Sequence, residues 1–195
     1  MSIKYPENDK MKQAAETDDE LVEMLKSPED KDKAFRLLMR KYGSRLYWHV
    51  RRIVVSHEDA EDVMQETAIN ILAGIEKFQQ KSTLGTWVYR IATNEALRML
   101  RGKVGIFQSI DAIGETLVEK LEDEAGVEAD TAELLFQKAL LQLPTQQRLA
   151  FNLRYYDELP YEEIAKITGK NINTLKTNYH FAVTKIKNYL KENSL

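Results

Sequence analysis

The sequence predicts an all-α protein with two helical domains joined by a flexible acidic linker, the second domain containing a helix-turn-helix. Gly and Pro are scarce, at 8 and 4 of 195 residues, and long stretches lack either helix-breaking residue. Apolar residues recur at helical spacing, and 43% hydrophobic with 30% charged residues is typical of a globular chain. One acidic segment without sustained periodicity separates two basic, periodic blocks.

Charge is segregated along the chain, although the net value is only −3. Residues 31–102 carry 13 basic and 8 acidic side chains, and residues 136–195 carry 9 basic and 5 acidic ones. The segment 103–135 between them carries 2 basic and 9 acidic side chains. Basic blocks of this kind favour contact with a polyanion such as nucleic acid, which the net charge alone conceals.

The first domain is predicted to span residues 17–102, after a polar, aperiodic tail at residues 1–16 that we expect to be disordered. The segment "SPEDKDKAFRLLMRKYGSRLYWHVRRIV" predicts a helix with Ser27 as N-cap, Pro28 at the first helical position and acidic residues in the first turn. Its apolar side chains follow helical spacing.

Two further helices and the linker follow. "SHEDAEDVMQETAINILAGIEKF" begins with a capping box from Ser56 to Asp59. The stretch "QQKSTLG" breaks the pattern, and "TWVYRIATNEALRMLR" then predicts a helix that stops at Gly102. Residues 103–130 read as the acidic linker, with a short helical turn near Glu119.

The second domain, residues 131–195, ends in the pattern of a helix-turn-helix. "YEEIAKIT" predicts a short helix, Gly169 supplies the turn, and a longer helix follows that carries four lysines and no acidic residue from Asn171 to Lys191. At 100° per residue, the apolar stripe of this helix contains Leu175, Tyr179, Ala182, Ile186 and Leu190. The opposite face contains Asn173, Thr177, His180, Phe181 and Thr184, flanked by Lys176 and Lys187. Such donors, acceptors, aromatic ring and cations suit a DNA major groove.

The loop "KFQQKSTLG" and the helix after it form a second unusual stretch. Lys81, Ser82 and Thr83 precede a helix that bears Trp87, Tyr89, Arg90 and Asn94. Aromatic rings beside an amide and cations suit unstacked or flipped bases. Packing of the aromatic residues in the core explains the same composition, so the residues alone leave both interpretations open.

Several classes of function are disfavoured. The chain has no Cys, no apolar run of 18 residues, and a start, "MSIKYPENDKMKQ", without the apolar core of a secretory signal. We therefore expect a cytoplasmic protein without membrane insertion. Phosphate-binding, dinucleotide-binding and hydrolase motifs are absent, and His49, His57 and His180 are scattered. No enzymatic activity, metal or cofactor is expected.

Taken together, "DAEDVMQETAINIL", "KFQQKSTLGTWVYRIATNEALRMLR" and "LPTQQRLAFNLRYYDELPYEEIAKITGKNINTLKTNYHFAVTKI" resemble bacterial sigma factors of the extracytoplasmic-function (ECF) group of the sigma-70 family. The likeness covers about residues 20–102, as sigma region 2, and 132–190, as sigma region 4. It implies a subunit without catalytic activity that directs RNA polymerase core, through its beta and beta-prime subunits, to promoter DNA and assists melting. It also implies a cognate anti-sigma factor and an acidic linker that mimics nucleic acid in polymerase channels.

The resemblance further implies three groups of contact residues. The polymerase-binding group is Asp62, Gln65 and Glu66. The group that captures a flipped base of the minus-ten element is Phe78, Lys81, Ser82, Thr83 and Asn94. The group that reads the minus-thirty-five element is Arg154, Asn173, Thr174, Lys176, Thr177, His180 and Phe181. Phe181 and Asn178 stand where family members often have Arg, so the base preference is not implied.

Two other classes of function stay open from the residues alone. The first is a duplex-binding helix-turn-helix regulator that does not act as a polymerase subunit and would normally dimerise on a palindrome. The second is a helical adaptor without a DNA role. Of the three hypotheses, only the sigma-factor hypothesis predicts that adding this protein to core polymerase permits initiation from a duplex promoter.

Overall fold

A computed structural model describes residues 17–104, Val118, Leu121 and residues 131–193, and every regular element within these ranges is helical. The eight α-helices there are α1 Asp18–Lys26, α2 Lys31–Val54, α3 His57–Gly74, α4 Leu84–Val104, α5 Thr131–Leu141, α6 Thr145–Tyr155, α7 Tyr161–Thr168 and α8 Ile172–Asn193, with a 3-10 turn at Ile75–Lys77. The all-α prediction is confirmed. The predicted tail and most of the predicted linker lie outside the described residues.

The N-terminal helix α1 was not predicted. Thr17 forms a capping box with Glu20: the Thr17 hydroxyl accepts from the Glu20 N–H at 3.3 Å, and the Glu20 carboxylate accepts from the Thr17 N–H at 2.8 Å. Ser27 is the C-cap of this helix, so its prediction as an N-cap was wrong. Pro28 follows that C-cap, where Pro is common because it cannot continue a helix, and α2 begins only at Lys31.

The predicted N-cap of α3 is confirmed, because the Ser56 hydroxyl accepts from the Asp59 N–H at 3.3 Å. The predicted capping box is not completed, since the Ser56 N–H donates to the Val54 carbonyl at 2.9 Å. Thr83 caps α4 in the same way, accepting from the Thr86 N–H at 3.1 Å. The predicted stop at Gly102 was wrong, since α4 continues to Val104. A single Gly costs a helix about 0.5–1 kcal/mol, which is too little to end a helix anchored by three preceding buried turns.

Helices α1–α4 form the N-terminal module. Their apolar faces meet in a common core, and polar contacts add to it at the edges. The Tyr42 hydroxyl of α2 donates to the Asp18 carboxylate of α1 at 2.7 Å, and Lys41 pairs with the same carboxylate at 2.8 Å. The fully buried core side chains include Leu21, Leu25, Leu38, Leu46, Ile71, Ile75, Leu84 and Leu100.

Helices α5–α8 form the C-terminal module, which has a small aromatic-rich core of its own. The Phe151 ring of α6 stacks on the Tyr179 ring of α8, with centroids 5.7 Å apart and an interplanar angle of 13°. The buried members of this core are Ala139, Leu140, Leu143, Phe151, Ala182 and Ile186. Because α8 crosses both α5 and α6, its position is fixed along most of its length.

The two modules pack directly against each other, which the sequence did not predict. Helix α7 lies on α4, and α6 lies on α2. The larger apolar core continues across this boundary, since Leu153, Ile164 and Ile167 are buried in the same cluster as the α2 and α4 side chains. In the described chain the modules therefore share a core and are not held apart by a spacer.

Candidate nucleic-acid interface

The predicted helix-turn-helix is confirmed and is built from α7, a turn at Gly169 and α8. Gly169 has φ +70° and ψ 15°, a left-handed conformation that glycine adopts without steric cost, and its N–H donates to the Ala165 carbonyl at 2.9 Å. Asn171 caps α8, because its side-chain Oδ1 accepts from the Thr174 N–H at 2.8 Å. Local sequence therefore fixes the angle at which α8 leaves the turn.

Helix α8 has the two faces that its periodicity predicted. Leu175, Ala182 and Ile186 are buried, and Tyr179 and Leu190 are partly buried against the C-terminal core. Phe181 is 49% exposed although it is a large apolar side chain. The exposed residues of the opposite face are Asn173, Thr174, Lys176, Thr177, His180, Phe181, Thr184 and Lys187. This face is polar, aromatic and cationic, and it contains no carboxylate.

Tyr161, in the first turn of α7, brings two cations together beside this face. The Arg154 guanidinium carbon lies 5.5 Å from the centroid of the Tyr161 ring, and the Lys176 Nζ lies 5.8 Å from the same centroid. Arg154 also donates to the Leu159 carbonyl at 3.0 Å. Desolvation by burial raises the pKa of Tyr161, so the ring is neutral at ordinary pH. No spacing rule in the sequence signals that Tyr161 contacts both cations.

An open pocket of about 270 Å³ lies between α1 and the loop before α4, and its lining includes Phe78, Ser82 and Thr83 together with Asp18 and Asp19. Phe78 is only 6% exposed and packs on Trp87, with ring centroids 4.8 Å apart. In this conformation its ring supports the loop and is not available for stacking on a base. Lys26 of α1 donates to the Phe78 carbonyl at 3.1 Å and ties the loop down.

Asn94 is exposed, but it does not lie with the loop. It is eleven residues after Thr83, about 16 Å along the helix at 1.5 Å per residue. Arg90, Arg98 and Arg101 are exposed as well, and with Asn94 they follow one side of α4 at helical spacing. The sequence-predicted minus-ten residues thus lie in two places, the loop and a basic stripe on α4. Arg90 was noted from the sequence, whereas Arg98 and Arg101 were missed although their spacing was visible.

The exposed side of α3 carries the predicted polymerase-binding group. Asp62, Gln65 and Glu66 are all exposed, and Glu66 pairs with Arg98 of α4 at 3.5 Å. Ile69 is 59% exposed on the same side, seven residues after Asp62. Sequence reasoning missed Ile69, although it falls outside the apolar stripe and this position signals an exposed side chain.

Across 17–104 and 131–193, no group of three or more His, Asp or Glu side chains is arranged to hold a metal ion. No helix within the described part of the chain has the length and apolar character needed to cross a bilayer.

Comparisons with known proteins give consistent matches over most of the chain. The family model "Sigma-70 region 2" matches residues 38–104, and "Sigma-70, region 4" matches residues 133–186. The chain is 32% identical over 142 residues to the RNA polymerase sigma factor SigV of Bacillus subtilis (strain 168), which covers 73% of this chain and 82% of that protein. It is 32% identical over 181 residues to the ECF RNA polymerase sigma-E factor of Escherichia coli (strain K12), covering 88% of this chain and 93% of that protein.

Solved structures match the fold. The sigma factor RpoE in complex with the anti-sigma factor NepR from Bartonella quintana aligns with a TM-score of 0.63 at 24% identity, covering 83% of this chain and 99% of that one. CnrH in complex with the cytosolic domain of CnrY aligns with a TM-score of 0.65 at 19% identity, and the alignment covers 89% of this chain and 97% of that one. At these sequence identities the structural likeness shows a shared fold and nothing more.

Proposed function

The chain belongs to the ECF group of sigma-70 factors, and from this membership we propose how its described surfaces divide the work of a sigma factor. A sigma factor directs RNA polymerase core enzyme to promoters, so the chain has two macromolecular partners, the core enzyme and promoter DNA. The proposal assigns α8 to the upstream promoter element, α4 with its preceding loop to the melted element, and α3 to the polymerase.

The observation that carries the proposal is the acid-free exposed face of α8. Short polar side chains reach base edges, cations contact phosphates, and an exposed ring can meet a thymine methyl group. A carboxylate on that face would repel the phosphate backbone, and none is present from Asn171 to Lys191. We assign minus-thirty-five contacts to Arg154, Asn173, Thr174, Lys176, Thr177, His180 and Phe181. Tyr161 positions Arg154 and Lys176.

For the melted element, the proposal assigns base capture to the loop residues Lys81, Ser82 and Thr83 and to Asn94 on α4. Single-stranded DNA is bound where a cationic path for the backbone accompanies groups that hold bases. The stripe that contains Asn94 and the exposed arginines of α4 supplies such a path. Phe78 is assigned the supporting role that its burial beneath the loop favours.

For polymerase binding, the proposal adds Ile69 to Asp62, Gln65 and Glu66. An interface needs an apolar centre with a polar rim, and an isolated exposed Ile surrounded by acids and an amide has this composition. A cytoplasmic location, the absence of catalytic activity and of a cofactor, and an anti-sigma partner complete the proposal. The last rests on the fold shared with a sigma factor solved in complex with an anti-sigma factor.

Transcription in vitro tests the assignment of α8. Promoters are mapped from transcription starts after overexpression, and the purified chain is added to core polymerase on a duplex template. Lys176→Ala is expected to weaken promoter use by about 1–3 kcal/mol. Lys33→Ala is the control, because Lys33 is also exposed but lies on α2 in the other module. Neither variant is expected to change binding to core polymerase.

The outcomes separate the functions. Initiation that depends on both chain and core supports a sigma factor. If the chain alone retards duplex DNA in a gel and does not support initiation, it is an ordinary duplex-binding regulator. Equal loss from both lysine variants would show general electrostatics and not recognition by one face of α8.

A further inference from the structure

A buried carboxylate joins the two modules. Asp157, just after α6 in the C-terminal module, is 2% exposed. Its Oδ1 accepts from Arg52 of α2 at 2.8 Å, and its Oδ2 faces the Nδ1 of His49 of α2 at 3.0 Å. Its main-chain carbonyl accepts from Arg45 of α2 at 3.5 Å. Three side chains of the N-terminal module thus converge on one residue of the C-terminal module.

The network reaches further into the N-terminal module. The Nε2 of His49 lies 2.8 Å from the Thr93 hydroxyl of α4, and that hydroxyl lies 2.8 Å from the Tyr89 carbonyl. An ionised carboxylate only accepts, so Nδ1 donates to Asp157. His49 is fully buried, and of its two ring-nitrogen hydrogen bonds the one at Nδ1 depends on Asp157 being in place.

Neighbouring contacts reinforce the same junction. The Arg52 guanidinium lies 4.5 Å from the centroid of the Tyr156 ring, and burial raises the pKa of Tyr156 to about 12, so that ring is uncharged. Thr86 of α4 donates to Glu163 of α7 at 3.4 Å. Burial of apolar surface stabilises contact between the modules but does not specify their relative orientation. These hydrogen bonds need a defined geometry and therefore select one orientation.

This orientation is incompatible with simultaneous contact to both promoter elements. Thr86 and Glu163 are hydrogen-bonded, and Tyr161 contacts Lys176. The α4 segment, the side chains and the two contacts that link Asn94 to Lys176 add up to about 45 Å. The Cα atoms of Asn94 and Lys176 are therefore no farther apart than this. Elements centred near minus ten and minus thirty-five are about 25 base pairs apart, or about 85 Å of B-form DNA. The modules must separate before both sites engage one promoter.

We propose that Asp157 is a latch that holds the free chain closed, by satisfying His49 and Arg52 of the other module, and that core polymerase opens it. The inference rests on the proposed function only for its consequence in transcription, because the latch itself is measured on the free chain. When the modules separate, His49 and Arg52 must bond to water or to the polymerase. The free energy of the contacts made by Asp157 sets the fraction of the free chain that is open. The latch thereby limits promoter contact by chain that is not bound to polymerase.

Distance measurement on the full-length chain tests the latch directly. The absence of Cys allows Arg36→Cys on α2 and Asn188→Cys on α8, both exposed, to be labelled as a fluorescence energy-transfer pair. Asp157→Asn keeps the shape of the side chain and removes its charge, and Arg52→Met removes a partner from the other module. Each is expected to raise the ratio of open to closed chain by at least about tenfold. Glu158→Gln, at the exposed neighbour of Asp157, is the control and should leave the ratio unchanged.

A covalent lock tests the consequence. Arg45→Cys and Glu158→Cys, on facing sides of the junction, are joined by a short cleavable bismaleimide and assayed in transcription with core polymerase. The locked chain should lose at least about tenfold of its initiation, and cleavage of the linker should restore it.

Each result decides between the possibilities. Unchanged energy transfer in both Asp157→Asn and Arg52→Met overturns the latch, as does full activity of the locked chain. A change in only one variant, with lower helix content by circular dichroism, indicates a local folding defect and also counts against it. If the unlocked chain never supports initiation, the proposed function fails, and the energy-transfer result still decides whether the latch exists.

Discussion

The contact of Tyr161 with two cations gives a prediction whose size follows from the structure. Tyr161→Leu keeps an apolar side chain of similar bulk at the start of α7 but removes the ring face. Arg154 and Lys176, at 5.5 and 5.8 Å from the ring centroid, then lose the partner that holds them beside α8. Tyr161→Phe keeps the ring and is the matched control.

The magnitude follows from the two contacts. A cation over an aromatic ring at an exposed site is worth about 0.5–1 kcal/mol, and both cations are exposed. The ring can therefore lower the cost of ordering the two side chains on DNA by at most about 1–2 kcal/mol, since ordering one long side chain costs about 0.5–1.5 kcal/mol. This corresponds to roughly 5- to 30-fold in the dissociation constant.

The assay is fluorescence anisotropy of holoenzyme, assembled from core polymerase and each variant, on a duplex that carries the upstream element and ends before the melted segment. Tyr161→Leu should bind more weakly by the stated factor, and Tyr161→Phe should bind within about twofold of the wild type. Thermal unfolding of both variants checks that the C-terminal module is intact. Equal affinities of the Leu and Phe variants, with both folded, would refute the positioning role of the ring.

Three further predictions concern other elements. Asn94→Ala should slow initiation from duplex promoter while sparing a pre-melted bubble template, and an equal loss on both templates would show a role other than opening. Gly169→Ala should destabilise the chain by about 1–2 kcal/mol in urea unfolding, because its φ is +70°. Gly102→Ala, in the helical conformation of α4 with open space around it, should stabilise by about 0.5–1 kcal/mol, and equal effects at the two glycines would contradict the backbone argument. Gln65→Ala should weaken binding to core polymerase in a titration where Glu61→Ala does not.

The sequence was sufficient for several features that a local rule specifies. The buried stripe of α8 from Leu175 to Ile186 follows from the helical period, and the turn at Gly169 follows from the one residue type that adopts a left-handed conformation freely. The predicted cap at Ser56 was confirmed for the same reason. The error at Ser27 arose because two local patterns compete there. Ser27 and Pro28 have the pattern of a helix start, but the capping box at Thr17 begins a helix that ends with Ser27 as its C-cap.

The candidate site was predictable only in part. Exposure of Lys176, His180 and Phe181 follows from their angles around α8. Burial of Phe78 does not follow from its loop position, because it depends on Trp87 and on the anchoring of the loop by Lys26. Likewise, Tyr161 meets Lys176 only because the turn brings α7 and α8 together.

By itself, the sequence determined the helical class, the helix-turn-helix, the two basic blocks and the family resemblance, since each depends on residues close together in the chain or on composition. The tertiary structure alone decided that the modules share a core and that Asp157 meets His49 and Arg52. These pairs are more than 100 residues apart in the chain, at separations of 108 and 105. Helical period and capping chemistry specify which face of a helix is buried, but the choice of partner for that face is made by packing across the whole molecule.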